Sequence, residues 1–143
     1  MPVSRAMRRL LDVLEIQEEE YRTAMVSARI ELERFKEALA HSRERERAGR
    51  RLVALSATTG EVADRIAGVE ESRTARRIAQ ALAPRLAEAE AAVSARREEF
   101  LGKRIERRQT ETLIDEAEAQ DKIEASRRTQ RDLDEWFMGR YRT

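Results

Sequence analysis

The side chains of this sequence that could do acid–base or metal chemistry are one histidine, His41, and short carboxylate runs such as Glu18-Glu19-Glu20 and Glu98-Glu99. A general base needs a partner that tunes its pKa, and a metal centre needs several ligands converging on one point. His41 stands beside Ser42 in a helical pattern, with no second histidine and no cysteine to join it. It reads as a solvated surface residue. Carboxylates on an exposed helix cannot be desolvated enough for acid–base work. Gly49, Gly60, Gly68, Gly102 and Gly139 are scattered singly, so neither GxxxxGK[ST] nor GxGxxG is present to cradle a phosphate. The absence of cysteine excludes a disulfide framework and a thiolate metal site. No catalytic, cofactor-binding or metal-binding residue is assigned, and an enzyme is the most distant possibility.

Arginine is the more informative residue. Of the 29 basic side chains only Lys36, Lys103 and Lys122 are lysines. Six Arg-Arg pairs occur: Arg8-Arg9, Arg50-Arg51, Arg76-Arg77, Arg96-Arg97, Arg107-Arg108 and Arg127-Arg128. A nucleic-acid surface would gather such pairs on one face with few acids between them. Here acids are interleaved, as in Arg43-Glu44-Arg45-Glu46-Arg47, and 28 acidic residues bring the net charge to +1. No nucleic-acid partner is expected, although single arginines can anchor protein interfaces. The other distinctive piece is Leu133-Asp134-Glu135-Trp136-Phe137, which holds the only Trp. Trp136 and Phe137 are adjacent, so at most one can face a seam. Either Phe137 closes the seam with Trp136 beside it, or one of them is an exposed anchor.

These residues must be positioned by helices. Charged residues make up 40 % and aromatics 4 %, while the apolar 41 % is rich in Ala and Leu and periodic. Met7, Leu11, Leu14, Tyr21, Met25, Ala28, Leu32, Phe35 and Leu39 keep a 3-4 spacing over about five heptads, interrupted by Glu18. That narrow stripe is a coiled-coil seam. Glu18/Arg22, Glu46/Arg50, Glu61/Arg65, Glu99/Lys103, Glu118/Lys122 and Glu124/Arg128 support helix at i, i+4, each by about 0.2–0.5 kcal/mol. The pattern begins near Val3, with Pro2 at or before the first turn, and a register slip is expected between Ser42 and Gly49. Thr58 and Glu61 match a capping box, so one helix should end near Ala57 and another begin near Thr59. Pro84 should kink the chain or start a new helix. Beyond it Leu86, Val93, Phe100 and Leu101 lead into a second stripe at Ile105, Gln109, Thr112, Glu116, Ala119, Ile123, Ser126, Gln130, Leu133 and Phe137. Gly139 is a plausible stop.

The expected fold is all-α: a single elongated domain over residues 1–143, built as an antiparallel two-helix coiled-coil hairpin with a short helical tip element. Helices 3–57 and 84–141, each about 80–85 Å long, would pair as equal arms around a bent tip at 58–83. The competing topology turns near Glu71-Ser72. In both, the two termini lie together. No signal-peptide pattern opens the sequence, and the longest uncharged run, 52–60, is far below the roughly 20 residues of a membrane span. No membrane insertion and a cytoplasmic, monomeric protein are expected.

Arg107-Arg108-Gln109-Thr110-Glu111, the acidic Ala-rich stretch 115–120, and Arg127-Arg128-Thr129-Gln130 running into Leu133-Asp134-Glu135-Trp136 together resemble the stalk component of bacterial type III secretion systems, the YscO/FliJ-like proteins of injectisomes and flagella. The Leu-Asp-Glu-Trp ending leans toward the injectisome branch. The resemblance implies a hairpin similar to the rotor shaft of rotary ATP synthases. Its terminal end would enter a hexameric secretion ATPase and promote its activity, while the tip reaches the cytoplasmic domain of an export-gate membrane protein. Export chaperones are further implied partners. By position, Arg5, Arg8, Arg9, Trp136, Phe137 and Arg140 would face the ATPase ring. Val62, Ile66, Val69, Arg73 and Arg76 would form the gate- or chaperone-side tip. The main rival is a self-associating coiled-coil scaffold or tether without a motor partner.

Overall fold

The structure is a computed structural model describing residues 3–141; Pro2 lies outside them. Two helices, α1 (Arg5–Thr59) and α2 (Val62–Tyr141), pack against each other as a hairpin. Ser4 caps α1: its Oγ accepts the Met7 amide at 3.1 Å, and its carbonyl accepts the amides of Met7 and Arg8.

The turn is a glycine device. Gly60 has φ of +74°, and its amide donates to the Ser56 carbonyl at 2.8 Å, the left-handed ending that glycine adopts without a Cβ penalty. The expected capping box does not form. Thr58 and Thr59 instead donate their hydroxyls back to the Ala54 and Leu55 carbonyls. After Glu61 the chain is helical again, and α2 runs unbroken through Pro84. Where a separate bent element was expected over 58–83, and in the competing topology a turn at Glu71-Ser72, there is one turn at Gly60 and the first quarter of α2. Pro84 and Gln80 both lie on the exposed face, where solvent can take up the carbonyl that proline leaves without a donor.

Two compact units divide the chain. The unit spanning Arg22–Glu99 contains the turn. Its α1 seam is Met25, Ala28, Leu32, Phe35, Leu39, Ser42, Glu46, Gly49, Val53 and Ser56, buried or half-buried throughout. The register slip is absent: the 3-4 spacing passes straight through Ser42 and Gly49, with small residues in place of large ones. Facing them are Gly68, Ser72, Ala75, Ala79, Leu82, Leu86, Ala89 and Val93, with Ala75 fully buried. Small residues recur every seventh position on α1, at Ser42, Gly49 and Ser56, and on α2 at Gly68, Ala75 and Ala89, with Leu82 as the one large residue of that series. The backbones therefore touch. A Cβ on Gly68 would sit 2.7 Å from the Gly49 carbonyl oxygen, and one on Gly49 would sit 2.8 Å from the Ser72 amide nitrogen.

The other unit joins α1 up to Tyr21 with α2 from Phe100 onward. Met7, Leu11, Leu14, Glu18 and Tyr21 meet Phe100, Lys103, Arg107, Thr110, Ile114 and Ala117, with Leu14, Thr110 and Ile114 buried. This corrects the second stripe. Ile105, Gln109, Thr112, Glu116, Ala119 and Ile123 are all exposed, on the side of α2 turned away from α1. The heptad frame carried unbroken from Gly68 fixes which face meets α1. The charged positions of that face are tolerated because they pair across the seam.

Candidate partner-binding surfaces

Each charged seam residue has a specific partner. Arg107 donates its Nε to Glu18 and its Nη1 to Glu111 at 2.7 Å, and these bonds raise its pKa further. Glu18, the one interruption of the first stripe, is thus half of a cross-helix ion pair. Lys103 lies 5.8 Å from the Tyr21 ring centroid, and Arg8 reaches Glu118 at 2.7 Å. In the turn-containing unit Arg45 Nε donates to Glu71 at 2.6 Å. Its guanidinium holds the Glu71 carboxyl below the usual carboxylate range. Of the expected i, i+4 pairs, Glu46–Arg50 forms at 2.7 Å, whereas Glu118 turns to Arg8 and Glu99 takes Arg96.

The Arg8–Glu118 pair fixes where α1 stops along α2. From Ala125 to Tyr141 every residue of α2 is exposed. This overhang is about 25 Å of helix that α1 does not reach. The expectation of equal arms with adjacent termini fails because the hairpin closes at Gly60 and α2 continues through Pro84. Residues 3–57 therefore face α2 up to about Glu124 rather than pairing arm for arm with 85–141.

The residues placed on the ring side separate accordingly. Arg5, Arg8 and Arg9 lie on the first turns of α1, exposed, with Arg8 engaged by Glu118. Trp136, Phe137 and Arg140 lie on the overhang, roughly 27 Å of helix beyond Glu118. There Trp136 and Phe137 meet edge to face at 5.2 Å, and the Arg140 guanidinium stacks 4.9 Å from the Trp136 ring. Trp136 is 55 % and Phe137 52 % exposed, so neither closes a seam with α1. At the turn, Val62 and Ile66 are 68 % and 59 % exposed and Val69 is half-buried, whereas Arg73 and Arg76, also exposed, lie about 20–24 Å of helix further along α2 than Gly60. Val62 also lines a shallow depression with Val53, Ala57 and Arg65. His41 is exposed, and among the described residues no three metal-ligating side chains come together. No described helix is long and apolar enough to cross a membrane.

A hairpin whose seam charges are paired and whose large apolar side chains stand exposed at the turn and on an overhang is built for contact. The sequence model of the flagellar FliJ protein matches residues 4–143. The chain belongs to that family. It is thus a coiled-coil component of flagellar-type and type III protein export, in a family of non-enzymatic export proteins. No curated protein and no solved structure matches the chain. FliJ membership accounts for the helical hairpin; the small-residue heptads and the overhang are read from this chain itself.

Proposed function

We propose that this FliJ-family chain is the stalk of an export ATPase complex: a single copy inserts the α2 overhang and the start of α1 into a hexameric secretion ATPase and promotes ATP hydrolysis. The observation that carries this reading is the overhang itself, a bare helix bearing Trp136, Phe137 and Arg140 on a family hairpin. Large aromatics and arginine are the side chains that most often anchor protein interfaces. Contact made asymmetrically inside a six-fold ring favours some subunit conformations over others, which is how a ligand shifts such equilibria. Arg5, Arg8 and Arg9 add exposed, reversible charge contacts on the same side. The turn, with Val62, Ile66 and Val69, and the stretch of α2 leading from it with Arg73 and Arg76, face the cytoplasmic domain of the export gate or export chaperones. The protein then works in the cytoplasm, peripheral to the inner-membrane apparatus.

The test is to add the purified protein to its export ATPase and measure turnover and co-elution with the ring. Stimulated hydrolysis supports the stalk; no stimulation and no co-elution refute it.

A further inference from the structure

The overhang carries a feature that ring insertion does not need. Ser126, Gln130, Leu133 and Phe137 continue the exposed 3-4 spaced stripe of Ile105, Gln109, Thr112, Glu116, Ala119 and Ile123 on the outer face of α2. In a chain of which 40 % is charged, this ten-position stripe holds one charge, Glu116. The buried face of the same stretch of α2 holds Lys103, Arg107, Asp121 and Glu124. The more seam-like side of this helix is the one without α1. Spacing of 3.5 residues selects a helix as its partner.

Along the overhang the charges fall into two blocks. Arg127, Arg128 and Arg131 come first, then Asp132, Asp134 and Glu135. Asp134 accepts a bond from Gln130 at 3.2 Å, while Arg127, Arg128, Arg131, Asp132 and Glu135 make no ion pair among the described residues. Laid antiparallel on a second copy and centred between Arg131 and Asp132, this segment is complementary to itself. Phe137 of each copy then faces the small Ser126 of the other, and Leu133 faces Gln130. The positions flanking those layers bring Arg127 of each copy to Asp134 of the other, twice by symmetry. Arg128 and Glu135 lie on the side of the helix away from this seam and Arg131 and Asp132 on its outer flanks, so Arg127 and Asp134 alone set the charge register. Large meets small, basic meets acidic, and α1 is on the opposite side of α2.

We infer that the α2 overhang pairs with a second copy of this chain as a short antiparallel coiled coil, Phe137 and Leu133 supplying the layers and Arg127–Asp134 the register. It stands independently of the stalk reading. Because it covers Phe137, the dimer and a ring contact through that residue exclude each other.

The experiment is sedimentation equilibrium of the full chain over a wide concentration range, with circular dichroism to check that the hairpin is intact. The wild type should show a monomer–dimer equilibrium, and Phe137→Asp should abolish it. Asp134→Arg and Arg127→Asp should each weaken it by roughly tenfold, since each turns two attractive exposed pairs into two repulsive ones. The double charge swap Arg127→Asp with Asp134→Arg should restore it to within about threefold. A wild type that stays monomeric throughout overturns the inference. So does a dimer indifferent to the single reversals, or one that the double swap leaves broken. A parallel pair would set residue 127 beside Lys122, so a dimer strengthened by Arg127→Asp overturns it as well.

Discussion

Gly68→Ala and Gly102→Ala are the same chemical change inside the same helix, and the structure assigns them opposite signs. Alanine is favoured over glycine in a helix interior by about 1 kcal/mol. At Gly102 a new Cβ would meet nothing within 4 Å. The gain is therefore realised, and the melting temperature rises by about 2–4 °C for a chain of this size. At Gly68 the new Cβ would lie 2.7 Å from the Gly49 carbonyl oxygen and 3.0 Å from the Val53 amide nitrogen, both backbone atoms with no rotamer to escape into. Ordinary contact begins at 3.4 Å, so α1 and α2 must part. Overpacking of this kind costs about 1–3 kcal/mol. After the helix-propensity gain the substitution loses up to about 2 kcal/mol. Gly49→Ala should behave like Gly68→Ala, since it meets the same backbone from the other side. Thermal melts followed by far-ultraviolet circular dichroism read all three. A Gly68→Ala protein that gains as much as Gly102→Ala would refute the backbone contact and the close-packed seam built on it.

The remaining predictions concern charge and contact. Replacing Glu18 and Arg107 together with leucine should raise the melting temperature, because an ion pair gives way to an apolar layer. Arg107→Leu alone should lower it by leaving Glu18 in the seam without its cation. The Glu71 carboxyl is held below its unfolded value, first by the hydrogen bond from Arg45. Its contribution is therefore fully present above the ordinary glutamate pKa of about 4.3 and is lost as pH falls through the lower folded value. Glu71→Gln should flatten the acid limb of a stability–pH curve in that window, and an unchanged limb would count against the pair. Trp136→Ala should weaken association with the export ATPase ring while leaving helicity intact, since Trp136 makes no contact with α1. Unchanged affinity would place the anchor elsewhere.

The helical hairpin was legible because large apolar residues hold the 3-4 spacing from Met7 to Leu39. Past that point the same spacing continues in Ser42, Gly49 and Ser56, which a search for large side chains reads as a slip. Their seven-residue recurrence, matched on α2 by Gly68, Ala75 and Ala89 around Leu82, was the signal available. Leu86, Val93 and Phe100 mark the true α2 seam, but beyond them Lys103, Arg107 and Thr110 are polar. The apolar stripe beginning at Ile105 drew the assignment to the wrong face. Only the cross-helix partners, Glu18 for Arg107 and Arg8 for Glu118, show why a charged seam holds. Pro84 suggested a boundary that the fold does not have, since a proline on the outer face leaves α2 continuous. The exposed side chains Trp136, Phe137, Val62 and Ile66 stand out by type and position. Their separation from Arg5, Arg8 and Arg9 depended on the register, which length alone misjudged.

That register is the claim on which the overhang and the surfaces built on it depend. The chain has no native cysteine, so a cysteine pair at positions 8 and 118 can carry spin labels for pulsed dipolar spectroscopy. The Arg8–Glu118 contact predicts a label separation under about 20 Å. Pairing of equal arms would set residue 8 opposite a position near 135, about 25 Å further along α2, and a separation of roughly 30 Å or more would contradict the account.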